Sequence, residues 1–282
     1  MKDGYHFRKK LGKALQTILA VIVTLIMVFP LYWMLITSFK TTDEVLLSTP
    51  TFFPQQWTFT AYEQVMANYP VWQYLLNTLI VTTVTVFLQV FFGILAAYAF
   101  SKGRFWGKDV LFILILGAMM IPIHVTFIPT YVMISRAGWL NSYQGLIIAE
   151  ALSAYNIFLL RQSFMTVDNS YLEAAKVDGL GSFRMIFQIL TPMCRPTVIT
   201  MTILAFINGW NAYFWPKMIV TTDRVRTISV GIADIRNSFL SMEALNMNQI
   251  TAASCVAVLP IAVLFIVFQK YILTGFSKAA MK

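Results

Sequence analysis

The sequence predicts an all-α membrane protein with six transmembrane helices, and its composition, apolar runs and placement of basic residues carry that prediction. Of 282 residues, 58% are hydrophobic and 12% are charged. Ordinary soluble domains are about 45–50% apolar and about 25% charged. A soluble chain of this length cannot hide so much apolar surface, so part of its solvent is lipid. The formal net charge is +9, yet the basic residues flank apolar runs. They form no continuous patch with interleaved aromatics, which excludes a nucleic-acid partner.

At about 20 residues per span, the apolar segments fall at about 15–37, 74–100, 110–134, 143–160, 197–215 and 250–271. Arg8, Lys9, Lys10 and Lys13 precede the first run, which outlasts a secretory signal's apolar core and ends in no small-residue cleavage site. It reads as a retained helix. The third and fourth segments are interrupted by Pro122, Pro129, Asn141 and Glu150. Fifteen Lys and Arg residues fall on one side of these spans and six on the other. The positive-inside rule puts the richer side, with both termini, in the cytoplasm.

Chemistry-bearing clusters are sparse. Cys194 and Cys255 stand far apart with no zinc spacing, and the only histidines are His6 and His124. No His-Glu-x-x-His motif and no glycine-rich phosphate cradle ending in Lys-Ser/Thr is present. No catalytic residue and no metal site are expected.

The one long cytoplasmic loop, about 161–196, has helical periodicity. Tyr171 to Val177 favours helix through Leu172, Glu173, Ala174, Ala175 and Lys176. Gly179 suits a left-handed C-terminal cap, and Ser182 suits the N-cap of a second helix. Phe183, Ile186, Phe187 and Leu190 then repeat at helical spacing for packing against membrane helices. Pro192 and Pro196 separate the unit from the fifth span.

This stretch resembles the EAA loop of ABC importer permeases, a Glu-Ala-Ala, three residues, Gly, nine residues, Ile-x-Leu-Pro pattern. Glu173, Ala174, Ala175, Gly179, Ile189 and Pro192 occupy that spacing, Asp178 fits the common form, and Thr191 replaces the usual Leu. The rest of the chain is similar to carbohydrate-importer permeases such as the smaller maltose-transporter membrane subunit. The resemblance is carried by Phe29, Pro30 and Trp33, then Ser38 to Lys40, Ala96 to Phe100, Met120 to Pro122, Ile128 to Tyr131, Asn208 to Asn211, and Gln269 to Phe276. The closing residues Lys278 to Lys282 depart from the family's glycine-rich ending. Glycerol-phosphate and arabinan-oligosaccharide importers share this style.

The resemblance implies a type I permease fold with a cytoplasmic coupling-helix loop. It divides the chain into 1–72 (N-terminal segment, first helix and outer loop), 73–273 (transmembrane domain with the EAA loop at about 163–195) and 274–282 (cytoplasmic tail). It implies coupling to an ATPase through Glu173, Ala174, Ala175, Asp178, Gly179, Ile189 and Pro192. The implied partners are a second, homologous permease, two ATPase subunits and an extracytoplasmic solute-binding protein, in the bacterial inner membrane. No cofactor is expected on this chain; ATP and magnesium belong to the partner ATPase.

Polar groups within spans are costly and mark candidate solute contacts. The fifth span offers Asn208, Trp210, Asn211, Tyr213 and Phe214, and other spans offer Asn77, Gln89 and Asn156. Such a mixture suits sugar hydroxyls and ring faces. Asparagine also ties membrane helices together, and Trp and Tyr mark interfaces, where Trp215 is expected. Glu150 is the poorer candidate, placed near the outer face where water reaches it. Asp223, Arg224 and Arg226 sit on the outer loop, either solvated or facing a binding protein. An ion-coupled secondary transporter is the alternative function, but the middle of spans one, two, five and six holds no carboxylate.

Overall fold

The computed structural model describes residues 2–240 and 247–280, with side chains over 12–238 and 247–269. The side chains of Lys2, Arg8, Lys9, Lys10, Lys270, Lys278 and Lys282, and of the closing motif after Gln269, lie outside the described residues. No strand occurs among the described residues. In chain order the helices are α1 (Lys2–Ser38), α2 (Thr42–Val45), α3 (Thr60–Asn68), α4 (Val71–Lys102), α5 (Lys108–Met119), α6 (Ile123–Arg136), α7 (Tyr143–Ile148), α8 (Ala154–Met165) and α9 (Asn169–Val177). A π-helical segment, Met185–Leu190, joins α10 (Ser182–Arg184) to α11 (Thr191–Met193). Then follow α12 (Arg195–Trp210), α13 (Phe214–Ile219), α14 (Ile228–Leu240) and α15 (Met247–Ala280).

Six uninterrupted spans are not found. Among the described residues, three helices are long and apolar enough to cross a membrane: Gly12–Ser38, Val71–Lys102 and Met247–Gln269, with mean hydropathies of 2.5, 2.3 and 2.6. Counting each of two bent pairs as one span gives up to five. The expected third span is bent by 101° between α5 and α6. Pro122 stands there as the N-cap of α6, extended at ψ 136°; proline cannot donate an amide, and it disfavours helix in the residue before it. The expected fourth span is α7 and α8 separated by 149–153. The expected fifth stops at Trp210, and α13 begins after a gap of three residues, 211–213. At 16 residues, α12 is about 24 Å long at 1.5 Å per residue, short of the roughly 30 Å hydrocarbon layer. A second bend, of 88°, separates α10–α11 from α12 at Cys194.

The chain forms two compact units, Met1–Val71 with Ile232–Val258, and Trp72–Gly231 with Leu259–Lys282. In the first unit, α1 leaves Leu15, Leu19, Ile22 and Ile26 exposed, an apolar surface suited to lipid. The Pro-, Thr- and aromatic-rich stretch after it is folded. Buried Glu44 accepts the Thr51 hydroxyl and the Gln55 amide, and buried Lys40 donates to the Thr51 carbonyl while lying 4.6 Å from the Trp33 ring. These bonds offset the cost of burying two charges. Phe39 packs on Trp57, Phe59 and Tyr62, and Asn248 Nδ2 closes the unit on the Lys40 carbonyl at 3.2 Å.

The second unit has two main apolar clusters. One joins Ile94 and Ala97 of α4, Leu160 and Phe164 of α8, Ile186 and Leu190 of the π segment, and Met201 of α12. The other gathers Val81, Ile134, Leu146, Trp215 and Ile219. Trp215, expected at a membrane interface, is packed inside this cluster. It is 7% exposed, and its indole Nε1 donates to the Gly145 carbonyl at 3.1 Å.

That packing is tight at Gly145, where a Cβ would lie 2.2 Å from the Trp139 carbonyl oxygen, whereas a Cβ on Gly117 meets nothing within 4 Å. Gly145→Ala is expected to cost about 1–3 kcal/mol by overpacking. The check is the thermal unfolding midpoint of purified protein in detergent, with Gly117→Ala showing no loss.

Candidate functional site

The loop predicted to couple is built around α9. The Asp168 side chain caps its start by accepting the Ser170 amide at 2.9 Å. At its end, the Gly179 amide bonds the Lys176 carbonyl and the Leu180 amide reaches the Ala175 carbonyl, both at 3.0 Å. This double reversal needs a left-handed residue, and Gly179 supplies it at φ +79°. Leu172 and Ala175 turn inward onto Met185, with Leu180 and Ile189 against them. Glu173, Ala174, Asp178, Gly179 and Pro192 are exposed, and Ile189 is half-buried. A short rigid helix thus presents a Glu-Ala face outward from an apolar footing.

Two local expectations are corrected. Ser182 does not cap the second helix; Gly181 holds that position in an extended conformation, its carbonyl accepting the Met185 amide at 3.1 Å. Phe183 does not pack inward. It is 60% exposed and leans on Phe187 at 4.7 Å, which stacks on Phe91. The widened π turn breaks the 3.6-residue period, so Met185, Ile186 and Leu190 are the buried residues there.

Lys102, in the last turn of α4, ties this unit down. Its Nζ donates to the Val167 carbonyl at 2.6 Å and to Asn169 Oδ1 at 2.7 Å, at the N-terminus of α9. A cavity of about 750 Å³ opens beside it, lined among others by Lys102, Arg104, Lys108, Glu173 and Lys176.

A second cavity, of about 660 Å³, lies among α4, α8 and α12. Its polar lining is Thr85, Gln89, Glu150, Ser153, Asn156 and Asn208, and its aromatic lining is Tyr155, Tyr213, Phe214 and Trp215. The fourth-span break supplies Glu150 and Ser153, the fifth-span break supplies Ala212 and Tyr213, and Ile123 follows the third-span break. Irregular backbone at membrane depth is tolerated where it is buried in protein or lines a cavity. Gln89 links two walls: Nε2 donates to the Glu150 carbonyl at 2.7 Å, and Oε1 accepts Asn156 Nδ2 at 3.1 Å.

Four of the seven solute-path candidates meet here: Asn156, Asn208, Tyr213 and Phe214. Trp210 is buried and stacks on Phe206 at 5.8 Å, away from the lining. Asn211 is the C-cap of α12 and donates to the Ile207 carbonyl at 2.9 Å, so it does not share the cavity face of Asn208. Asn77 serves the chain itself. Its Nδ2 donates to the Arg224 and Arg226 carbonyls at 3.1 and 2.9 Å, and its Oδ1 accepts the Tyr143 hydroxyl at 2.6 Å. Asp223 and Arg226 pair with each other, and Asp223 also accepts the Tyr74 hydroxyl at 2.6 Å. Glu150, the poorer candidate from sequence, lines the same cavity, as do Thr85 and Tyr155, which carried no signal apart from ordinary span residues.

The α9 cap titrates. Hydrogen bonds from Ser170 hold the Asp168 carboxyl below the usual carboxylate range. A depressed value means that the cap contributes fully above that range and is lost as pH falls through the folded-state value. Amide exchange protection in α9, corrected for the intrinsic rate at each pH, is expected to drop on acidification in the native chain. Asp168→Asn, which keeps an acceptor without a titrating proton, should flatten that dependence; an unchanged profile would refute the cap assignment.

The probable ABC transporter permease protein YurM of Bacillus subtilis is 28% identical over 287 residues, covering 100% of this chain and 93% of that relative. The melibiose/raffinose/stachyose import permease of B. subtilis is 30% identical over 270 residues, covering 94% and 95%. The diacetylchitobiose uptake system permease of Streptomyces coelicolor is 27% identical, covering 95% and 89%. Among solved structures, a chain of a bacterial ABC transporter involved in import of the acidic polysaccharide alginate superposes with a TM-score of 0.82 at 24% identity, covering 93% of this chain and 96% of that one. The family model described as binding-protein-dependent transport system inner membrane component matches residues 89–278, and this chain belongs to that family.

Proposed function

We propose that this permease forms half of the translocation path of a bacterial importer for a sugar or sugar-like solute. The other half is a second, homologous permease. Two cytoplasmic ATPase subunits hold the ATP and magnesium, and an extracytoplasmic binding protein delivers the solute. Both termini face the cytoplasm, as the distribution of Lys and Arg indicates. The saccharide import named for several relatives supports the solute class. An ion-coupled carrier is not favoured, because the family's transport depends on a binding protein.

The observation that carries the coupling role is α9. Its Glu173 and Ala174 face outward, while Leu172 and Ala175 fix it to Met185. A helix capped at both ends and footed on an apolar cluster moves as one body. Docked in an ATPase groove, it passes ATPase closure through the π segment to Ile94 and Ala97 of α4 and Leu160 of α8.

The test is co-purification from native membranes in mild detergent. The wild-type chain is expected to bring down an ATPase and a second permease. Glu173→Ala changes an exposed side chain without an ion-pair partner among the described residues, so the chain should fold normally. ATPase recovery should nonetheless fall about tenfold, the loss expected for a hydrogen bond to a charged group. A wild-type chain that purifies alone, under conditions holding other importers intact, would sink the proposal.

A further inference from the structure

Three basic side chains meet at the end of α4, and they do not point the same way. The last carbonyls of a helix lack partners within it. Here the Phe100 carbonyl accepts Arg161 Nε of α8 at 3.0 Å. The Ser101 and Gly103 carbonyls accept Lys108 Nζ of α5 at 3.2 and 3.0 Å. The Arg161 guanidinium also lies 3.9 Å from the centre of the Phe112 ring in α5. Arg161 and Lys108 thus reach in toward α4 and fix its end against α5 and α8. Lys102, the last residue of α4, reaches outward instead, to the Val167 carbonyl at 2.6 Å and to Asn169 Oδ1 at 2.7 Å.

Those two acceptors bracket Asp168, the N-cap of α9. Val167 is itself held, its buried side chain packed in the cluster of Ile94, Ala97 and Leu160. The other attachment of α9 is apolar. Leu172 and Ala175 rest on Met185, and the π segment continues from there to Ile94 and Ala97 through Ile186 and Leu190. Apolar contact is non-directional, so a short helix held by that footing alone can pivot on it. A charged hydrogen bond is short and directional, and it fixes the start of α9 relative to α4. Two attachments of different kinds, at two places on the α9 unit, remove the pivot. Lysine suits this task because an ammonium offers three donors on a flexible stem, enough for two acceptors.

We infer that Lys102 is a positioning residue for transport. It braces α9 against α4, so that a displacement of α9 is delivered to the helix that carries Thr85 and Gln89 into the 660 Å³ cavity. This rests on the coupling role proposed for α9. Lys102 acts through Val167 and Asn169, and in this role it contacts neither the ATPase nor the solute.

The experiment uses the whole importer, with both permeases, the ATPase pair and the binding protein, in lipid nanodiscs. Amide hydrogen exchange is followed in α9 and in the cavity-lining stretches 149–153 and 211–213. It is compared without nucleotide and with a non-hydrolysable ATP analogue and magnesium. In the wild type the analogue is expected to shift exchange at all three places. Lys102→Met keeps most of the side chain and loses the donors. It should leave ATPase recovery, nucleotide-free exchange in α4 and the α9 response as in the wild type. The response at 149–153 and 211–213 should fall about tenfold, the loss expected for hydrogen bonds from a charged group. Lys102→Arg, which keeps charge and donors, should recover part of it. Asn169→Ala removes one acceptor, leaves the Asp168 cap and should give a smaller loss. A cavity response unchanged in Lys102→Met overturns the inference. So does a fall in ATPase recovery in that variant, which would make Lys102 a docking contact. Where Lys102→Met loses nucleotide-free protection across α4, Asn169→Ala decides, and a normal cavity response there overturns the inference. A wild-type importer that assembles but shows no response at the cavity overturns it too and leaves the permease role standing; one that does not assemble fails on the role itself.

Discussion

The rest of the structure depends on one constraint: a backbone amide or carbonyl cannot be left unpaired in lipid. An uninterrupted helix without proline meets it by itself, as α4 does, while Pro30 in α1 and Pro260 in α15 each remove one amide donor. The interrupted segments must find other partners. At the first break the Met120 and Ile121 amides fall back on the Gly117 and Ala118 carbonyls. At the second, Glu150 and Ala151 bond Ile147 and Ile148, Gln89 reaches across from α4, and the Ser153 hydroxyl accepts the Asn156 amide at 3.3 Å. At the third, Asn211 and Ala212 bond the Ile207 and Gly209 carbonyls. Each repair leaves a short bent segment and no continuous rod. Residues at or beside all three bends line the same cavity.

The helix that joins these features is α4. Thr85 and Gln89 lie four residues apart on its cavity side. Further along, Ile94 and Ala97 enter the cluster that receives the π segment. At its end, Lys102 grips the carbonyl of Val167 and the side chain of Asn169 where α9 begins. One uninterrupted helix of 32 residues therefore contacts the cavity at one level and the α9 unit at another. Such a helix resists bending more than a broken one. A displacement imposed at α9 has a stiff element to act on and softer ones, α6 to α8, beside it.

Much of this was legible in the sequence, for identifiable reasons. The membrane class and the three long helices follow from composition and run length, which report directly on the solvent. The α9 unit was legible down to its cap, because Gly179 stands where the chain must turn left-handed and the Glu-Ala-Ala spacing is local. Interruptions at Pro122 and Glu150 were visible as well, yet an apolar window of about 20 residues averages over them and reports a span. Residues whose role depends on distant partners stayed hidden. Nothing in the neighbourhood of Asn77 announces that two carbonyls some 150 positions on will occupy its amide. Phe183 and Ser182 were misplaced by a different cause, since a π turn and an early N-cap shift the register by one residue, and local periodicity has no way to show it.

Asn77 and Glu150 also show how polar residues inside a membrane chain divide. Both are short-range polar groups in otherwise apolar segments, and by cost alone both qualify as functional. The structure separates them by what their side chains already bond. Asn77 has spent its amide protons and its oxygen on backbone carbonyls and on Tyr143, which makes it a clamp between α4, α7 and the stretch around Arg224. Glu150 has spent only its backbone, and its carboxylate faces open space beside Thr85 and Asn208. What a polar side chain already bonds, more than its being polar, separates a clamp between helices from a group left facing a cavity.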